Sequence, residues 1–183
     1  AKAAEAKAAS AAAAAPVAPP VAPAPVAKGM SAKYGIAAGS ILARLSSSAL
    51  ATQLDDMKSM GVGWVRFDIE WSNIETSPGN YNWGAYDGVV QAVRARGMRV
   101  IAVIDYTPGW ARPGGCGSDK CAPADPNKYG DFAGVVAARY NGYGVSAYEI
   151  WNEPNSSDFF KPGADAGKYT LMLKAAYGKI KAV

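Results

Sequence analysis

The run Ile150-Trp151-Asn152-Glu153-Pro154-Asn155 sets a carboxylate, a carboxamide and an indole side by side. It closes a strand-like segment, Ala147-Tyr148-Glu149-Ile150-Trp151. Pro154 cannot donate to a strand ladder, so the strand must end there. The residue before a proline is held away from the right-handed helical region. The expected geometry is an extended Glu153 at the strand exit, partly buried among aromatic neighbours. Partial burial favours a protonated carboxyl, the form that a general acid needs. Asn152 can donate and accept, which suits it to a sugar hydroxyl beside a scissile bond. The structural alternative is a glutamate that caps the next segment or binds a surface arginine.

The rest of the composition narrows the chemistry. The 183 residues contain no histidine. This excludes a Ser-His-Asp triad, a Cys-His pair and histidine-based zinc sites. Acid/base work near neutral pH then falls to carboxylates, Lys, Tyr or Cys. No metal or cofactor is expected. The two cysteines, Cys116 and Cys121, sit in a glycine-rich loop. Two thiols cannot complete a four-ligand zinc site, and the spacing is longer than the redox C-x-x-C. The plain reading is a disulfide pinning a surface loop in an oxidising compartment, against two free thiols. The net charge of +4 is mild and scattered, apart from Arg94, Arg96 and Arg99 near one helix end. These read as a solvated helix end, and no basic stripe points to nucleic acid. No run of about 18 apolar residues exists, so no transmembrane helix is expected. No signal peptide is visible, as in a mature form from which one has been removed.

These residues need elements to hold them. Residues 1–32 are rich in Ala and Pro and read as a low-complexity tail or linker, with an extended stretch from Pro16 to Pro25. Residues 33–183 alternate strand and helix. Tyr34–Ala38, Trp64–Asp68, Met98–Ile104 and Ala147–Trp151 read as strands. Helices are expected after Ser46–Ser48, with Leu50, Leu54, Met57 and Met60 inward, and after Asn82, with Trp83, Tyr86, Val90 and Val93 inward. Two more start at Asp125-Pro126 and near Asp165, the last with Tyr169, Leu173, Ala176 and Ile180 on one side. Four βα units in succession imply a parallel sheet. Polar and aromatic residues cluster after the strands, at Asp68–Trp71, Asp105–Trp110 and Asn152–Asn155. A (β/α)8 barrel gathers such strand ends on one face.

Trp-Asn-Glu-Pro-Asn after a fourth strand resembles the acid/base motif of glycoside hydrolase clan A, whose members are retaining (β/α)8 barrels. Trp64-Val65-Arg66-Phe67-Asp68 is similar to the clan's second strand, where an arginine supports the catalytic carboxylates. The segment Trp71 to Trp83 resembles the clan's next segment, W-x-x-I-E-x-x-x-G-x-Y-x-W, and Tyr106-Thr107-Pro108-Gly109-Trp110-Ala111 resembles the loop after the third strand. The likeness is greatest to the β-xylosidase and α-L-iduronidase-like family 39, with the endoglucanase-like family second. It implies the N-terminal half of a barrel over residues 33–183. It also implies Glu153 as acid/base, Asn152 as its substrate-binding neighbour and Arg66 as electrostatic support. Trp71, Tyr106, Trp110 and Trp151 are candidates to stack on sugar rings, each against ordinary packing. Asp68 and Asp105 end their strands and are candidates for sugar hydroxyls. Glu70 and Glu75 are assigned to loop structure, and Glu149 to an ion pair among the helices.

The pattern departs from the clan in two places. Its nucleophile is a glutamate at the end of a seventh strand, and this sequence ends at Val183, about the fourth helix. Many relatives also carry histidines around the sugar site. Four strands cannot close an eight-stranded barrel. A fragment or truncated product is the favoured explanation, ahead of a split barrel or two half-barrels assembling. The expected function is a secreted or cell-wall-associated retaining glycosidase acting on a polysaccharide or glycoside. The alternative is a non-catalytic carbohydrate-binding surface protein with a degenerate barrel.

Overall fold

The computed structural model describes residues 33–183. The expected Ala/Pro-rich tail lies outside the described residues.

Four strands, β1 (Gly35–Gly39), β2 (Trp64–Glu70), β3 (Arg99–Asp105) and β4 (Val145–Ile150), form one sheet in the order β1-β2-β3-β4. Every pairing is parallel. The crossovers are α1 (Ser47–Ser59), then α2 (Trp71–Ile74) with α3 (Gly84–Ala95), then α4 (Pro126–Tyr140); α5 (Ala166–Lys181) follows β4. The result is an open sheet with β1 and β4 as edges, matching part of a TIM barrel.

Local signals start the helices much as the residue types suggest. The Ser46 hydroxyl accepts from the Ala49 N–H, the Asp125 carboxylate from Asn127 and the Asp165 carboxylate from Lys168. Each satisfies an otherwise orphaned donor of a first turn. For α3, Trp83 occupies the cap position, and Asn82 only reaches the Gly84 N–H at 3.4 Å. The short α2 was not expected; it forms because β2 runs on to Glu70 and turns directly into it. In α5 the buried residues are Met172 and Ala176, while Leu173 is exposed. The inward stripe is therefore one residue off the expected one at that turn. Met60, expected on the inner side of α1, is exposed as the C-cap residue. The three arginines are not a solvated cluster. Arg94 donates to the Met98 carbonyl, Arg96 pairs with Asp55, and Arg99 lies over the Trp64 ring.

Strand parity divides the sheet. Val65, Phe67, Ile69, Val100, Ala102 and Ile104 pack into the core with the helices. An aromatic layer lies in that core. Trp71 stacks on Phe132 at 5.4 Å, and Phe132 stacks on Trp83 at 6.1 Å. Arg66, Asp68, Glu70, Asp105 and Glu149 take the other parity, toward the concave side of the sheet. Gly130 shows how tightly α4 and α5 meet: an added Cβ would stand 2.8 Å from that of Ala175.

Trp71 sits at the centre of the aromatic layer with no exposed surface. Trp71→Ala is expected to cost about 3–5 kcal/mol of stability, read by urea unfolding. A loss below about 1 kcal/mol would remove Trp71 from the core.

Candidate active site

All parallel strands end at the same edge of the sheet, and the Glu153 segment leaves β4 there. The backbone takes an unusual path. Tyr106, Trp151 and Glu153 have φ of 58°, 69° and 47°, and are the positive-φ residues other than glycine among the described residues. Left-handed backbone is rare for bulky side chains and costs about 1–3 kcal/mol, so surrounding contacts must impose it. This corrects the extended Glu153 expected before Pro154. Proline disfavours the right-handed helical region, but the left-handed one remains available when packing on both sides demands a turn.

Packing does demand it. The Trp151 ring is buried against Tyr106 at 5.9 Å, Tyr129 at 6.0 Å and Phe160 at 5.6 Å. Its Nε1–H donates to the Phe159 carbonyl at 2.7 Å. Trp151 is thus an anchor, and the chain reverses on it. Asn152 is half-buried, and Glu153 is exposed at the lip rather than partly buried.

A cleft of about 620 Å³ opens here, lined by Arg66, Glu149, Trp151, Asn152, Glu153 and Tyr169 among others. Arg66 organises one wall. Its Nε donates to both carboxylate oxygens of Glu149, at 3.0 and 2.9 Å. Its Nη2 stands 2.8 Å from Glu149 Oε2 and donates to Asn152 Oδ1 at 3.2 Å. The bond to Asn152 consumes the amide oxygen, leaving the Nδ2 donors for other partners. Glu149 is therefore not in an ion pair among the helices. The alternation with Ile150 holds, but Ile150 is the residue facing the helices, so Glu149 faces the cleft. The Glu149 carboxylate and its hydrogen bond hold the Arg66 guanidinium above its ordinary pKa.

Beyond Arg66, toward the C-terminal ends of β2 and β3, the same face of the sheet is acidic. Glu70 and Asp105 are register partners on β2 and β3. Glu70 is satisfied by Arg44 at 3.0 Å, Asn73 at 2.8 Å and Tyr86 at 3.2 Å. Asp105 is fully buried, and neither of its carboxyl oxygens has a partner among the described residues; Asp68 Oδ1 is in the same state. Burial, reinforced by neighbouring carboxylates, pushes Asp105 well above the usual carboxylate range, with Arg66 opposing. Burial raises Asp68 to about 6, partly offset by Arg66.

The aromatic candidates separate into two groups. Trp71 and Trp151 are buried, Trp71 stacked on Phe132, and Tyr106 is buried edge-on to Trp151. These three support the mouth from beneath. Trp110 is half-buried, meets Trp71 edge-on at 5.5 Å and donates its Nε1–H to the Glu75 carbonyl at 2.8 Å. Glu75 is a loop hub, as assigned: its carboxylate accepts from Trp71 Nε1 at 2.6 Å and from the Gly79 N–H at 2.7 Å. Cys116 and Cys121 form a disulfide, with Cα atoms 6.4 Å apart. Sequence reasoning missed Glu149, whose only signal was its strand parity, and Tyr169, whose hydroxyl donates to the Ile150 carbonyl at 3.0 Å. Arg66, Asn152 and Glu153 are brought together, with Trp151, around this cleft; Trp71, Tyr106 and Trp110 do not line it.

A carboxylate-bearing mouth at the strand ends of a parallel αβ sheet of TIM-barrel type lies where that fold carries its chemistry, whatever the reaction. The family model for cellulase, glycosyl hydrolase family 5, matches residues 27–183. The chain belongs to that family. Similar solved structures include a family 39 enzyme from Xanthomonas axonopodis pv. citri, with 22% identity, TM-score 0.66, and coverage of 88% of this chain and 34% of that one. They also include the endoglucanase Cel5A of Pseudomonas stutzeri in complex with cellobiose, with 18% identity, TM-score 0.55, and coverage of 73% and 38%. At these identities the likeness is one of fold. Among curated proteins, the chloroplastic beta-amylase 1 of Arabidopsis thaliana is 36% identical over 59 residues, 32% of this chain and 10% of its own length. The chain thus spans about a third of the length of the similar structures.

The buried acids set a pH dependence. Native Asp68 holds its proton to about pH 6, against 3.8 for its ordinary value. A raised native pKa means stability from this group is full below 3.8 and is lost as pH rises through 6; Asp105 acts in the same direction. Asp105→Asn, uncharged at every pH, is expected to raise Tm at pH 8 by roughly 3 °C or more and to change it less at pH 4. Equal shifts at both pH values, followed by circular dichroism, would contradict the acidic strain.

Proposed function

We propose that this chain supplies the acid/base side of a retaining glycoside hydrolase site, with Glu153 as proton donor to the leaving oxygen. The observation that carries this is the position of Glu153: at the C-terminal end of β4, exposed at the lip of a cleft, beside Asn152 whose oxygen is held by Arg66. A carboxyl group there can reach a glycosidic oxygen. The Asn152 Nδ2 donors can engage a neighbouring sugar hydroxyl, a contact that strengthens as positive charge grows at the anomeric carbon. Trp110, half-buried above the aromatic layer, is the remaining candidate for sugar stacking.

Retention needs a second carboxylate about 5–5.5 Å from the first. Glu149 lines the same cleft but is bound through both oxygens by Arg66, which makes it a poor nucleophile. The nucleophile is therefore assigned to chain that completes the barrel across the β1 and β4 edges, from a further segment or a partner. Unpaired strand edges favour such completion. The substrate is read as a β-linked polysaccharide or glycoside, in line with the family and with the cellobiose complex of the endoglucanase of like fold. The disulfide supports a secreted or cell-surface setting.

In the active protein that contains this chain, Glu153→Gln is expected to lower kcat on glycosides with poor leaving groups by about 10²–10⁴-fold. Activated aryl glycosides, which need no proton, should be spared in the first chemical step, and added azide should restore turnover. A variant that keeps most of its rate on poor leaving groups rules out Glu153 as the acid.

A further inference from the structure

The loop closed by Cys116 and Cys121 is joined to both strand ends that form the mouth. On the β3 side, the Thr107 N–H donates to the Asp119 carbonyl at 2.7 Å, and the Thr107 hydroxyl donates to the Cys121 carbonyl at 2.7 Å. Arg112 Nε donates to the Thr107 carbonyl at 2.8 Å and Nη1 to that of Gly117 at 3.3 Å. Thr107 and Cys121 are fully buried.

On the β4 side, Cys121 forms a parallel bridge with Lys161. The Lys161 N–H donates to the Lys120 carbonyl at 2.9 Å, and the Ala122 N–H to the Lys161 carbonyl at 3.2 Å. The Lys120 ammonium lies 3.9 Å from the centre of the Phe159 ring. Phe159 and Phe160 are the residues that hold Trp151, one by its carbonyl and the other by its ring. The Ser156 N–H then returns to the Glu153 carbonyl at 3.0 Å. A continuous set of contacts runs from the disulfide through Lys161 and Phe160 to Trp151, two residues before Glu153.

We propose that the Cys116–Cys121 loop is a positioning clamp for the Glu153 segment, holding the left-handed turn at Trp151 and Glu153 in place. The positive φ values there cost energy that local propensity does not recover, so an external tether is required. A six-residue loop closed by a covalent bond supplies a rigid edge for Lys161 to pair with. In this account the disulfide belongs to the site, and Thr107 is the positioning residue that fixes the loop to β3. Its functional meaning rests on Glu153 being the acid; its structural content does not.

Hydrogen exchange by NMR tests it, on the chain with the disulfide intact, on the chain reduced by dithiothreitol, and on Thr107→Val and Thr107→Ser. The probes are the Ala122 and Lys161 amides and the Trp151 indole N–H, with the β2–β3 ladder as reference. Reduction is expected to speed exchange at the three probes by ~10-fold or more while leaving the ladder unchanged. Thr107→Val, which keeps the disulfide, should speed the same probes, and Thr107→Ser should restore them. Unchanged probes overturn the proposal. A uniform acceleration across the ladder also overturns it, since the loop would then be a general staple. Loss of the Glu153 assignment would show in the glycoside kinetics and leave this exchange pattern as it is.

Discussion

Parallel pairing of β1 to β4 is the constraint from which the rest follows. Two parallel neighbours cannot be joined by a hairpin, so each strand must be followed by a crossover packed on one face. The crossovers bury that face, with Phe67, Ile69, Ala102 and Ile104 against the helices. The same connectivity sends every strand's C-terminal end to one edge. Residues as far apart as Arg66, Tyr106 and Glu153 therefore meet there although nothing local draws them together.

The face that the helices leave free carries a concentration of acid. Glu70 and Glu149 are compensated by Arg44 and Arg66, while Asp68 and Asp105 are buried with oxygens unpartnered among the described residues. Buried carboxyls without donors are costly when ionised, so this region holds protons that ordinary aspartates would release. Stability is given up at the C-terminal strand ends, where Glu70 and Asp105 stand as register partners.

The aromatic side chains do a different task from the one their abundance suggests. Trp71, Tyr106 and Trp151 are consumed in holding the mouth from below. Glu75 takes the indole of Trp71 with its side chain and that of Trp110 with its carbonyl, so one acidic residue fixes both rings. The disulfide loop performs the corresponding task for the β4 exit, through Lys161 and the two phenylalanines beside Trp151.

Much of the scaffold was legible in the residues themselves. Apolar periodicity located four strands and the long helices, and Ser46, Asp125 and Asp165 marked starts that their side chains do cap. The order of Arg66, the Tyr106 loop and Trp151-Asn152-Glu153-Pro154 pointed to glycosidase chemistry through its resemblance to clan A, not through residue type alone, since strand ends of this fold host many chemistries. Three things were decided only in three dimensions. Glu149 faces the cleft because parity relates neighbours to each other but does not say which face the helices cover. Trp71 is in the core because aromatic type does not distinguish a stacking platform from a packing block until neighbours are placed. The turn at Glu153 is left-handed because contacts through Trp151, Phe160 and the Cys121–Lys161 bridge outweigh a local preference. Sequence determines what each residue prefers alone; the packed chain decides which preferences are overruled, since tertiary contacts supply energies larger than the local ones.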